Sequence, residues 1–221
     1  SGFHSVSARD VCRMTFAYYF AGAGVLPYMA FRVAAAETRH DLDRLSFLFD
    51  ASREQVCHRL SMLQRPGHKG VPFFFVRLDR AGTITKRHSA TGLQFTRFGG
   101  SCPLWNVHKA FESQDDILRQ LASTPDGRQY LCLAFSKSIP GAEYRSHPRK
   151  YAIGLGCEAK HASQLVYADD LDVTDASRFD PIGTGCRVCE RVSCAHRSVP
   201  PLARDIGIDH HSRSAVPFRV N

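Results

Sequence analysis

The sequence predicts an α+β fold: a helical amino-terminal part packed on a mixed or antiparallel β-sheet, closed by a cysteine-rich carboxy-terminal segment. Three observations predict it. The first 65 residues carry apolar positions at helical spacing, "QRPGHKG" (64–70) ends that texture, and "GTGCRVCERVSCAHR" (183–197) places three thiols within nine positions. We divide the chain accordingly into residues 1–66 and 67–221.

The apolar stretch "TFAYYFAGAGVLPYMAF" (15–31) reads as a buried helix followed by a turn at Pro27. It falls short of the ~18 uninterrupted apolar residues of a membrane span, and it lacks the basic start and cleavage site of a signal peptide. In "HDLDRLSFLFD" (40–50), Leu42, Leu45 and Leu48/Phe49 recur at helical spacing. Ser52 with Gln55 three positions on is a capping-box start, and Val56, Leu60 and Leu63 form the apolar stripe of the next helix. This helix pair resembles a helix-turn-helix, but the apolar stripe makes its second helix a packing element.

Beyond Gly70 the periodicity changes. "VPFFFVRLD" (71–79) is a strand, and "RAG" turns it towards a partner around "TITKRHSA", giving a hairpin. "SCPLWNVHKAF" (101–111) predicts a short helix with Pro103 in its first turn, and "DDILRQLAS" (115–123) a further helix. "YLCLAFSKSI" (130–139) is a strand, followed by the basic loop "PGAEYRSHPRK". "YAIGLGCEAKHASQLVYADDLD" (151–172) reads as one or two strands broken at "GLGC", and "PLARDIG" (201–207) as a short terminal helix.

The 29 Lys+Arg against 21 Asp+Glu leave a net charge of +8, which favours an anionic partner: nucleic acid, a phosphorylated ligand or an acidic protein. The surplus is spread through loops. Eight cysteines without a signal peptide point to metal or redox use rather than disulfides. Cys12, Cys57 and Cys132 sit in apolar periodic segments and read as small core residues.

Cys186, Cys189 and Cys194, spaced C-x2-C-x4-C, are different. Thiolates this close converge on a metal or an iron–sulfur cluster. Cys157 is the expected fourth corner, because Gly154 and Gly156 would let the backbone approach a cluster. Cys102, ahead of Pro103 at a helix start, is the rival. One cysteine standing 29 positions before a clustered three suits a cubane better than the paired knuckles of zinc. His196 could still replace a cysteine in a zinc site, so both metals stay open on spacing.

The run "VPFFFVRLDRAG…KR…FGGSCPLWNV…AF", then "GLGCE…H…LVY" and "PIGTGCRVCER..C..R..PPL", resembles the carboxy-terminal sensory part of the short-chain fatty-acyl transcriptional regulators. These are XRE-type proteins that also contain an IrrE-like region. The resemblance covers nearly the whole chain and is strongest over residues 71–201. It implies a cytoplasmic effector domain that binds a short-chain acyl-coenzyme A, propionyl-CoA first. It also implies a [4Fe–4S] cluster on Cys157, Cys186, Cys189 and Cys194. DNA would be bound only through the family's amino-terminal helix-turn-helix, which this sequence does not contain; a homo-oligomer is a possible further association. No H-E-x-x-H occurs, so the zinc-protease machinery of the IrrE-like relatives is missing.

An acyl-CoA brings phosphates that need cationic forks or backbone N–H groups. Arg53 and Lys69 are the first candidates and Arg77 and Arg97 the next, with Phe75 and Trp105 lining an apolar slot for the acyl chain. No nucleophile–base pair stands out, so a sensor is favoured over an acyl-CoA-handling enzyme or a zinc-stabilised nucleic-acid binder.

Overall fold

The computed structural model describes residues 5–96, 100–113, 116–211 and 213–221. Four helices come first: α1 (Val6–Val25), α2 (Tyr28–Glu37), α3 (Leu42–Phe49) and α4 (Arg53–Ser61). Their starts follow from side chains that satisfy first-turn N–H groups. Ser5 accepts from the Ala8 amide, Asp41 accepts from Asp43 and Arg44, and Ser52 with Gln55 forms the expected capping box.

The sheet has six strands: β1 (Phe73–Asp79), β2 (Ile84–Ser89), β3 (Leu118–Ser123), β4 (Gln129–Ile139), β5 (Arg149–Glu158) and β6 (Asp180–Pro181). Their order is β2-β1-β5-β4-β3-β6. All neighbours are antiparallel except β3 and β6, so the sheet is mixed.

Strand alternation gives the sheet two buried faces. Phe73, Phe75, Leu131, Leu133, Phe135, Ile153, Leu155 and Cys157 share one core with Phe31, Leu42, Leu45, Val56, Leu60 and Leu63 of the helical part. Phe74, Val76, Leu78, Cys132, Ala134 and Ala152 face the other way, into a core with Cys102, Trp105 and Val107. That second layer is carried by a one-turn helix, α5 (Asn106–Lys109). Val56 and Leu60 of α4, with Leu63 just beyond its end, are all in the core, so α4 packs on the sheet as its apolar stripe predicts.

Four expectations are corrected. The stretch 15–31 is not a buried helix: α1 buries no residue, and Phe16, Tyr18 and Phe20 are 60–72% exposed. Burial begins only at Leu26 and Phe31, because α2 to α4 already supply the core on that side of the sheet. Residues 118–123 form strand β3, not a helix, since β4 offers a full antiparallel edge from Ala134 to Gln129. "GLGC" does not break its strand: β5 runs through it in register with both β1 and β4. No helix forms over 201–207, where two residues instead make strand β7 (Ile206–Gly207) against β8 (Arg219–Val220). A seven-residue helix cannot offset its nucleation cost without packing, and Leu202 is 73% exposed.

The helical part is also fastened to the sheet by charge. Glu54 of α4 accepts from Arg77 of β1 at 3.0 Å and from Lys137 of β4 at 2.7 Å. Burial alone would raise its pKa, but the hydrogen bond and charge of Lys137, then those of Arg77, outweigh burial and hold it below the ordinary value of 4.5. A depressed carboxyl contributes stability above its unfolded pKa and loses it as pH falls through the folded one. Glu54→Gln should therefore cost about 2 kcal/mol at pH 7, with the difference from the parent shrinking below pH ~4.5. Urea unfolding of both proteins across pH 3–7 checks it; a pH-independent difference would leave packing, not charge, as the cause.

Candidate functional site

Cys102, Cys186, Cys189 and Cys194 line one small pocket, together with Gly183, Arg191, His196 and Arg197; the cavity between them is about 10 Å³. Two chain segments meet there. One is the loop that leads into α5, and the other follows β6. Both are held by a single buried side chain of β3. Gln120 accepts from the Asn106 amide at 2.9 Å and donates to the Leu104 carbonyl and to Asp180, each at 2.8 Å. The Asn106 side chain donates in turn to the Leu118 and Cys132 carbonyls at 3.2 Å. Asn106 Oδ1 accepts nothing among the described residues, but the donors of both side chains and the Gln120 oxygen are paired, which fixes the arrangement of the segments they join.

The carboxy-terminal cysteines are held by two arginines. Arg191 donates to the Ser123 carbonyl at 2.8 Å and to that of Ile182 at 3.4 Å. Arg197 is 6% exposed and donates to the carbonyls of Cys186 (2.9 Å), Cys189 (3.3 Å) and Arg191. The Ser198 amide reaches the Cys186 sulfur at 3.5 Å. A side chain at Gly183 would place its Cβ 2.7 Å from the Cys189 sulfur, so glycine is required there for that thiol to face the pocket. Burial pushes the Cys102 thiol up, the backbone N–H groups of Gly183 and Leu104 pull it down, and the nearby Cys186 and Cys189 push it up again. Among the described residues, no three His, Cys, Asp or Glu side chains converge as the ligands of one metal ion would.

Cys157, expected to close the set, is not brought to this pocket. It alternates with Ile153 and Leu155 on the helix-facing side of β5 and is fully buried there. Burial drives its thiol pKa well above the ordinary value. The glycines beside it serve the opposite face. A Cβ on Gly156 would stand 2.5 Å from the Phe74 ring, and one on Gly154 would stand 2.8 Å from both Val107 and Val76. They admit the layer that carries Cys102, the rival named from the sequence, which lines the pocket. Cys57 and Cys132 are buried core residues, as read from the sequence, whereas Cys12 is only partly buried on α1, which contributes nothing to the core.

The basic and aromatic candidates are divided differently. Arg53 pairs with Asp43 and lies 5.9 Å from the Phe135 ring. Arg77 pairs with Glu54, donates to the Thr85 hydroxyl at 3.0 Å, and stacks 4.8 Å from Tyr151. Phe75 is fully buried beneath them. Lys69 is exposed beyond the far end of α4, a helix about 13 Å long. Trp105 is buried on the opposite face of the sheet from Phe75, so these two cannot line one slot. Arg97 lies outside the described residues.

Sequence reading missed Lys137, His58 and His88 as companions of Arg77. Lys86 sits opposite Arg77 on β2 and His88 opposite Phe75; Phe135 lies across β5 from Arg77, with Lys137 two residues further along β4, and His58 comes from α4. Lys86 is half-buried, lies 5.7 Å from the Phe75 ring and makes no ion pair among the described residues. Burial, then its attraction to Glu54 and repulsion from Arg77 and Lys137, leave its pKa lowered. Burial and the neighbouring Lys86 push His58 down to about 4, so it is neutral at pH 7. One carboxylate thus stands among three cations. The strand alternation that puts Lys86 beside Arg77 was readable once β2 was paired.

Comparison with known proteins fits this architecture. Residues 62–218 match the model of the short-chain fatty acyl coenzyme A regulator carboxy-terminal domain, and residues 7–61 that of the IrrE N-terminal-like domain. The chain is 59% identical over 218 residues to a propionyl-CoA carboxylase regulator of Cereibacter sphaeroides, covering 99% of this chain and 47% of that protein. It is 47% identical over 214 residues to the HTH-type transcriptional regulator PrpR of Mycobacterium tuberculosis, covering 97% and 44%. A solved Mycobacterium tuberculosis transcriptional regulator superposes with a TM-score of 0.91 at 47% identity, over 97% of this chain and 65% of that one. The chain spans about half the length of the curated relatives it matches. Among the described residues, no helix is long and apolar enough to cross a membrane. The match over residues 62–218, with relatives named as regulators, places this chain in the family of short-chain fatty acyl coenzyme A regulators.

Proposed function

We propose that the chain is the effector part of a transcriptional regulator, binding a short-chain acyl-CoA and passing its occupancy to DNA-binding elements elsewhere in the protein. The observation that carries this reading is the surplus of cations around Glu54. Lys86 is half-buried and makes no ion pair among the described residues, with its Nζ 5.7 Å from the Phe75 ring and 5.9 Å from the Tyr18 ring, while Arg77 stacks on Tyr151 beside it. A phosphate supplies the negative charge that this group lacks. The names of the family model and of the Cereibacter relative point to the same ligand class.

The second element is a [4Fe–4S] cluster on Cys102, Cys186, Cys189 and Cys194. In a cubane each thiolate binds a different iron, so four cysteines ringing a pocket suit it better than ligands that must each lie ~2.3 Å from one zinc. Gly183 leaves the Cys189 sulfur uncovered, and the small pocket would widen as the thiols close on a cubane. When bound, the cluster would cross-link the α5 loop to the carboxy-terminal segment, a stretch with little core of its own.

Cys102→Ser should lower the iron content of anaerobically purified protein and the melting temperature, whereas Cys157→Ser should keep the iron. Iron and sulfide assays with visible absorption read both; iron retained in the first variant and lost in the second would return the fourth corner to Cys157. For the ligand, Lys86→Ala should weaken propionyl-CoA binding roughly ten- to hundredfold, as expected for one charge-assisted contact of about 1.5–3 kcal/mol. Lys69→Ala should leave it unchanged. Isothermal titration with propionyl-CoA, dephospho-CoA and propionate tells which phosphate is held; stabilisation by propionate equal to that by propionyl-CoA would sink the assignment.

A further inference from the structure

Arg197 has a feature that its role as a loop clamp does not use. Two terminal nitrogens are taken by carbonyls, but its Nε–H is buried without a hydrogen-bond partner. Its charge is equally unmatched, since none of the ion pairs formed by the described residues involves it. The side chain is 6% exposed and lines the pocket ringed by the four cysteines. Burying a guanidinium with neither a counter-charge nor a full set of acceptors is unfavourable. Protonated thiols offer only weak acceptors and no charge. Four thiolates around an oxidised [4Fe–4S] core carry a net negative charge and strong sulfur acceptors, so a loaded pocket would satisfy both needs of Arg197 at once.

We infer that Arg197 is the positioning residue of the cluster, its counter-charge and the donor of an Nε–H hydrogen bond to a ligand sulfur. This rests on the cluster proposed above. A positive charge at a cluster favours the reduced, more negative form, so Arg197 raises the reduction potential. Its carbonyl clamp on Cys186 and Cys189 also slows release of the metal.

The test uses the whole chain, purified anaerobically, with iron content, a redox titration followed by visible absorption, and the rate of iron transfer to a chelator. R197K should keep the parent's iron content and stay near its potential. R197Q should shift the potential negative and release iron about ten- to hundredfold faster, the range for residues that support metal ligands. An R197Q potential and release rate equal to the parent's would overturn the inference, as would equal impairment of R197K and R197Q, which would leave shape as the only role. If R197Q does not fold, pulsed electron paramagnetic resonance of the reduced parent labelled with [15N]arginine decides. A guanidinium nitrogen coupling is expected, and its absence overturns the inference. A parent without iron removes the cluster and this role together, whereas an iron-loaded parent with an indifferent R197Q removes this role alone.

Discussion

The arrangement depends on one strand having two side-chain-free positions on one face. β5 is central, paired along its length with β1 and β4, and Gly154 and Gly156 point to the side away from the helices. Phe74 and Val107 occupy the space that side chains there would fill. Adding a methyl group at Gly156 would also press on the Leu131 carbonyl at 2.6 Å, and backbone in a three-strand register cannot give way cheaply. The flat strip lets Phe74 pack edge-on against Trp105 and Tyr130 with ring centroids 5.9 and 6.2 Å apart. Trp105 then stacks on Phe95 at 6.0 Å. That aromatic layer sets the height at which α5 and the Cys102 loop rest on the sheet.

Everything at the thiol ring follows from this docking. Gln120 reads the position of α5 through Asn106 and Leu104, and the position of β6 through Asp180. Cys102 and the Cys186–Cys194 loop are thereby referred to the same residue of β3. The basic group around Glu54 lies on the opposite face and towards the opposite strand ends. The separation is about 20 Å along β4 from Leu131 to Lys137. The two proposed sites share the rigid sheet and no side chain, so communication between them would pass through the packing of the whole domain or through another chain.

Most of the fold was legible because it is written in local patterns. The capping box at Ser52, the apolar stripe of α4 and the hairpin of β1 and β2 need no distant partner to be recognised. The misreadings share a cause. α1 has an apolar sequence, but burial depends on whether a surface remains to receive it. Residues 118–123 look helical until β4 supplies an edge. "GLGC" looks like a break until the residues that fill the glycine face are known. The cysteine ring shows the same limit: the cluster of three was visible in its spacing, whereas the fourth depends on which face of β5 Cys157 occupies. Alternation with Ile153 and Leu155 fixes that face, and only the tertiary structure shows which face the carboxy-terminal segment approaches. Arg197, which clamps carbonyls six, eight and eleven residues away in its own loop, carried no signal in the sequence.

The central claim is that docking on the glycine face makes Cys102 the fourth thiol. Diffraction at the iron absorption edge from anaerobically grown crystals tests it most directly. One anomalous peak is expected, enclosed by Cys102, Cys186, Cys189 and Cys194, with the Arg197 guanidinium beside it and no peak within bonding distance of Cys157. A peak ligated by Cys157, or iron-loaded protein whose Cys102 sulfur lies away from the metal, would contradict it.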